Sequence, residues 1–202
     1  MLSTPILLDY QSSTPCSKDV VDSMKPFWSE IFSNPSSKSN LAGINASAIL
    51  EASREKIEQN LFLKNKKVIF TSGATESNNL ALLGFARNYH KKTGNYGHII
   101  TLKTEHKAVL EPLYQLKKEG FMVTEITPER DGIISEAQFK KNIREDTFMV
   151  SVMMANNEIG VIQPIENISK ICKLRGITFH SDFAQCLGYI ELDNLLSDVN
   201  MI

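Results

Sequence analysis

Four short clusters in this sequence carry side chains able to do chemistry, and each follows an apolar run: Thr71–Thr75, Thr104–His106, Asn156–Glu158 and Asp182–Gln185. They offer hydroxyls beside a glycine, an imidazole, a pair of amides, and a carboxylate three residues before another amide. The first cluster is the most telling. Residues 68–79, VIFTSGATESNN, read as a buried strand (Val68, Ile69, Phe70) that turns directly into a helix beginning near Thr75. Gly73 permits an unusual backbone angle or the close approach of a ligand. The first N–H groups of such a helix have no partner within it, and with the positive end of the macrodipole they favour a phosphate or carboxylate. Ser72 or Thr75 can add a hydroxyl. The competing reading is an ordinary helix start, with Ser72 or Thr75 as the cap and Glu76 in the acid-favouring first turn.

The elements that must position these clusters alternate. Strand 68–70 precedes a helix over 75–89, strand 98–102 a helix over 107–118, and strand 122–126 a helix over 135–143. The apolar run 147–154, a helix over 165–174 and a strand over 177–180 complete the series. This alternation predicts an α/β fold with a mostly parallel sheet and helices on both faces. Ligands bind such a sheet outside the carboxyl ends of its strands, where all four clusters fall. Upstream, 19–32 looks helical with a break or kink at Pro26, 33–40 has loop composition, and a helix is expected over about 46–61. No linker divides the chain.

Composition narrows the function classes. The 202 residues are 42% hydrophobic and 22% charged with a formal net charge of -1, a globular balance that calls for neither nucleic acid nor an anionic membrane as partner. No apolar run approaches the roughly 18 residues that cross a bilayer. The opening MLSTPILLDY lacks the basic leader and apolar core of a signal peptide, so a cytoplasmic protein is expected. Cys16, Cys172 and Cys186 are odd in number and far apart, which fits reduced thiols. His90, His98, His106 and His180 lack the one-turn spacing of metal ligands, and no metal site is expected.

Neither a Gly-x-Gly-x-x-Gly dinucleotide motif nor a Walker loop is present. What remains is a phosphorylated compound whose other end needs an acid, a stacking platform and an amide. Pyridoxal 5'-phosphate has that shape, with a phosphate for the helix start, a ring to stack and a pyridine nitrogen for an Asp. Each residue also has a structural reading: Asp182 can end a strand, His106 can sit in a helix first turn with its ring satisfied, and Asn156 and Asn157 can form a turn. His180 is assigned to the last strand as a structural residue.

Taken in order, LDYQSSTP (8–15), NPSS (34–37), TSGATESN (71–78), TEHKAV (104–109), NNEIG (156–160) and HSDFAQ (180–185) resemble the successive signatures of the cysteine desulfurases, fold type I pyridoxal-phosphate enzymes of the class V aminotransferase group. The resemblance covers nearly the whole chain. It implies that Ala74 and Thr75 hold the cofactor phosphate and that His106 stacks on the ring and takes part in proton transfer. It further implies that Asn157 lies near the phenolic oxygen or the substrate, Asp182 faces the pyridinium nitrogen, and Gln185 hydrogen-bonds the phenolic oxygen. The implied reaction removes sulfur from L-cysteine, giving L-alanine and an enzyme persulfide for iron–sulfur cluster or thio-cofactor assembly. A homodimer and a sulfur-acceptor or scaffold protein are the implied partners.

The chain also departs from the family. The family's cofactor lysine follows the Asp-x-x-Gln segment on a further strand that should begin around 198–202, and no lysine present stands in a matching context. The persulfide cysteine is likewise unmatched; Cys172 and Cys186 read as packing residues. Ser181 and Phe183 flank Asp182 where other residues are usual. The expectation is an N-terminal fragment, inactive alone: residues 1–15 as a segment that packs with the family's small domain, and 16–202 as an incomplete large domain without the C-terminal small domain. The alternatives are a noncatalytic cofactor-binding or interaction protein, and a selenocysteine lyase or other class V relative.

Overall fold

The computed structural model describes residues 5–61, 63, 66–192 and 198–202. They group into two compact units, Met1–Val68 and Ile69–Ile202.

In the first unit, α1 (Lys18–Met24) starts at Ser17, whose hydroxyl accepts the Val20 N–H, and α2 (Pro26–Ser29) begins on the proline that the sequence marks as a break. Proline suits a first helical position because its missing N–H would have no partner there. Helix α3 (Leu41–Asn60) starts five residues before the expected Ala46. The cause is Asn40, whose side chain accepts the Gly43 N–H at 2.7 Å and nucleates the helix from inside the polar loop run. Gly43 is required by close approach: a Cβ there would lie 2.2 Å from the Ser37 carbonyl oxygen.

The second unit holds helix α4 (Ala74–Thr93), strand β1 (His98–Leu102), α5 (Lys107–Glu119), β2 (Met122–Ile126), α6 (Glu136–Asn142), β3 (Thr147–Ser151), α7 (Ile165–Arg175) and β4 (Thr178–His180). The four strands form a parallel sheet in the order β2-β1-β3-β4. This order fixes the helix layers. Passing from β1 to β2 moves one way across the sheet and passing from β2 to β3 moves back past β1, so right-handed crossovers must put α5 and α6 on opposite faces. The step from β3 to β4 continues in the second direction and places α7 beside α6. Packing agrees, since α5 lies against α4 and α6 against α7.

Buried apolar residues of the α4–α5 layer, among them Leu82, Val109, Leu113 and Leu116, close on Ile99 and Met149 of the central strands. Those strands are buried along their whole length, which is why they read as continuous apolar runs. His98, fully buried at the start of β1, ties three strands together by bonds to Thr147 Oγ1 at the start of β3 (2.7 Å) and Thr124 Oγ1 in β2 (2.8 Å).

One expected strand is absent. Residues 68–70 lie outside the four-stranded sheet, and Ile69 is 65% exposed. A β-prone run becomes a strand only where a sheet edge accepts its backbone, and among the described residues the four strands pair only with one another and with residue 201. At the β4 edge of the sheet, residues 199–201 run beside β4, with Asn200 N–H donating to the Phe179 carbonyl and a parallel bridge joining His180 to Met201. That is where the next strand was expected to begin.

Candidate active site

The sheet is parallel, so the segments leaving β1, β3 and β4 emerge at one edge. On leaving β1 the chain passes Thr104 and Glu105 to His106, the cap of α5. The His106 Nδ1 accepts the Ala108 N–H at 3.1 Å, so in the neutral ring the proton sits on Nε2 and the exposed imidazole is held in one orientation. The structural reading of this residue and its candidate role are therefore compatible, because capping uses only one ring nitrogen.

Beyond β3, Asn156 is buried and shapes the turn. Its Oδ1 accepts from the Glu158 and Ile159 N–H groups at 2.8 and 2.9 Å, and its Nδ2 donates to the Thr104 carbonyl at 2.7 Å. Asn157, displayed by that turn, is half-buried. The two asparagines thus divide the work: the first builds the turn and the second is presented by it.

Beyond β4, Asp182 is buried with both oxygens engaged. Oδ1 accepts from the Ala184 N–H at 2.9 Å, and Oδ2 accepts from the Asn78 side chain at 2.8 Å. Asn78 is 3% exposed and lies one turn into α4, so the carboxylate is braced directly against the helix whose start is the anion-seat candidate. Gln185 sits half-buried in the turn that follows, and Phe183 packs in the interior.

The start of α4 has no side-chain cap. Its N-cap is Gly73 at φ 157°, at the edge of what other residues adopt, and nothing lies within 4 Å of the point a Cβ would occupy. Ser72 is already committed: its N–H and hydroxyl both donate to Glu76 Oε2 at 2.6 Å, which holds the Glu76 carboxyl below its ordinary range. Ser72 is therefore removed from the candidate seat, while Ala74 and Thr75 stay exposed on the first turn. A cleft of about 360 Å³ reaches from Thr75 and Asn79 to His106 and Lys107.

Two residues that the sequence reading passed over join these loops. Asn78 is one. The other is Glu105, 5% exposed, whose Oε1 accepts the Met153 N–H at 2.8 Å. Burial pushes this carboxyl up to about 8, the nearby charge of Asp182 adds to the rise, and the Met153 N–H opposes it. An acid three residues beyond a β-prone strand, next to His106, was the available signal for Glu105. For Asn78 there was none, since its partner is 104 residues away. Behind the site, His180 is buried against Ser151 Oγ at 2.9 Å and burial lowers it to about 4, in keeping with a structural role. Cys172 and Cys186 are buried too, with burial pushing their thiols up to about 12 and about 11, so neither is poised as a thiolate.

Comparison with known proteins agrees with this architecture. The cysteine desulfurase IscS of Ehrlichia chaffeensis is 46% identical over 201 residues, covering 100% of this chain and 48% of its own length. Among solved structures, "SspA in complex with cysteine" superposes with a TM-score of 0.84 at 39% identity, covering 93% of this chain and 53% of its own. DndA from Streptomyces lividans gives 0.81 at 38% identity, covering 96% and 53%. The chain spans about half the length of the curated relatives it matches. The family model for aminotransferase class-V matches residues 6–202, and with the strand-end site described above it establishes that the chain belongs to the class-V aminotransferase family.

Proposed function

We propose that this chain contributes the phosphate seat and the ring-binding face of a pyridoxal-phosphate-dependent cysteine desulfurase. The observation that carries the reading is the Asn78–Asp182 bond, which fixes a buried carboxylate to the helix that would hold the phosphate. The residues fit the cofactor: an uncapped helix start with open space beside Gly73 suits the phosphate, and Asp182 suits a protonated ring nitrogen. Bound pyridoxal phosphate supplies an electron sink for bonds broken at the substrate α-carbon. The N–H groups of Ala74 and Thr75 bind the phosphate, and the Thr75 hydroxyl adds a donor. Asp182 keeps the proton on the ring nitrogen, while Asn78 and the Ala184 N–H keep Asp182 aimed. His106 stacks on the ring with Nε2 left to move a proton, and Asn157 and Gln185 donate to the phenolic oxygen.

The substrate in this reading is L-cysteine, whose sulfur passes to an enzyme persulfide and on to an acceptor or scaffold protein. The enzyme works in the cytoplasm as a homodimer. Residues 1–15 form its N-terminal segment and 16–202 part of its large domain. None of the 202 residues is a lysine in the context expected of the cofactor anchor, so the chain alone binds cofactor without turnover.

The test is titration with pyridoxal phosphate, followed by borohydride reduction and an alanine assay with L-cysteine. Saturable binding that Asp182→Ala abolishes supports the reading, and its absence overturns it. Stable labelling of one lysine, or alanine formation by this chain alone, would overturn the inactivity.

A further inference from the structure

We propose that Glu105 is a positioning residue of this site, clamping the loop that carries His106 to the loop that carries Asn157, with Asp182 alongside. The proposal rests on the cofactor reading above for its role, though not for its geometry. Glu105 immediately precedes His106, yet its side chain turns inward and takes the Met153 N–H at 2.8 Å. The same two loops are joined a second time by Asn156 Nδ2 and the Thr104 carbonyl at 2.7 Å. From there the link continues to the third loop, because the Met154 N–H donates to the Asp182 carbonyl at 3.2 Å. The residues on either side of His106 are thus both fixed, by Glu105 before it and by the bond from the Ala108 N–H to its own ring after it.

The second oxygen makes the arrangement unusual. Glu105 Oε2 is buried with no hydrogen-bond partner among the described residues. An ionised carboxylate with one donor, beside the charge of Asp182, is disfavoured in such a place, and the uncharged acid form loses less by leaving its second oxygen unpartnered. Glutamine has the shape of the acid form, with a carbonyl for Met153 and an NH2 in place of the OH. Aspartate is one methylene short and cannot make the same reach.

The experiment compares Glu105→Gln, Glu105→Asp and Glu105→Ala with the parent chain. It follows pyridoxal-phosphate affinity, the dichroism of the bound cofactor, and, without cofactor, hydrogen exchange at the Met153 amide and the thermal midpoint. Glu105→Gln is expected to stay within about twofold of the parent affinity, with dichroism and slow Met153 exchange retained. Glu105→Asp and Glu105→Ala are expected to bind about tenfold more weakly, with reduced dichroism and faster Met153 exchange. Parent-like affinity and dichroism in Glu105→Ala, or a loss in Glu105→Gln equal to that in Glu105→Asp, would overturn the proposal. If Glu105→Ala does not fold, the Gln and Asp chains decide. If the parent binds no pyridoxal phosphate, the cofactor reading fails and the clamp is judged on Met153 exchange, where equal protection in the parent and Glu105→Asp overturns it.

Discussion

Helix α6 closes its own N-terminus: Ser135 accepts the Gln138 N–H, and the Gln138 side chain reaches back to the Ser135 N–H. Helix α4 begins on a glycine that has nothing to offer its first-turn donors, and its order comes from lower down, where Asn78 is anchored to Asp182. Helix α5 stands between the two, capped by the ring of His106 with the other ring nitrogen left over. The difference teaches where local stability has been given up. Helix α6 satisfies its start from adjacent sequence, whereas α4 leaves first-turn donors open and is braced by a distant contact.

Cutting that distant contact has the largest expected effect. Asn78→Ala leaves a buried carboxylate with one donor fewer, and a urea unfolding curve should show a loss of about 3 kcal/mol. A loss confined to a few tenths would break the comparison, because α4 would then need no anchor.

The next effect is on pH dependence, and it concerns the loop that carries His106. The folded chain holds the Glu105 proton up to about 8 against an ordinary value of 4.5. Between these values the unfolded chain has released a proton that the folded chain keeps. Stability therefore falls as pH rises through this window, by up to about 1.4 kcal/mol per pH unit. His180, lowered from 6.5 to about 4, acts in the opposite sense: below 6.5 the unfolded chain gains a proton that the folded chain refuses, and stability falls as pH falls. The two windows overlap between 4.5 and 6.5, where the slopes offset each other, so Glu105→Gln should flatten the profile from 6.5 up to about 8 and steepen the His180 fall on acidification below 6.5, as measured by unfolding at a series of pH values.

The two helix starts can then be compared directly. Ser135→Ala should cost about 1 kcal/mol in thermal unfolding and leave pyridoxal-phosphate affinity unchanged. Gly73→Ala should cost at least as much, since φ 157° with ψ 178° is backbone that side chains rarely adopt even where nothing crowds the added methyl group, and it should also weaken cofactor binding because that methyl group enters the open space beside the seat. Equal effects of the two substitutions on affinity would erase the distinction between the starts.

Much of this could be read along the chain. Strands β1 and β2 fall on the predicted residues: β1 is buried along its length and reads as a β-prone run with polar ends, while β2 at the sheet edge is legible from its short β-prone run between Gly120 and Pro128. The strand-end clusters were legible for the same reason, since each begins where such a run stops. Residues 68–70 were not, because local β propensity carries no information about whether an edge will accept the strand. The start of α3 was hidden because Asn40 lies in a Ser/Asn/Pro stretch whose composition looks like loop throughout. In the site, the presented residues stood out by type, but Asn78 and Glu105 did not. Their importance lies in partners 104 and 48 residues away, and no local pattern encodes such separations.

The Asn78–Asp182 bond also bears on how the Ile69–Ile202 unit assembles. The partner of Asn78 lies 104 residues further along the chain, beyond β1, β2, β3 and β4, so the site is complete only when the whole of this sheet is in place. A cofactor that needs both ends of that bond would then act as a proofreader of folding, recognising chains that have reached the end of β4 and passing over those that stalled before it.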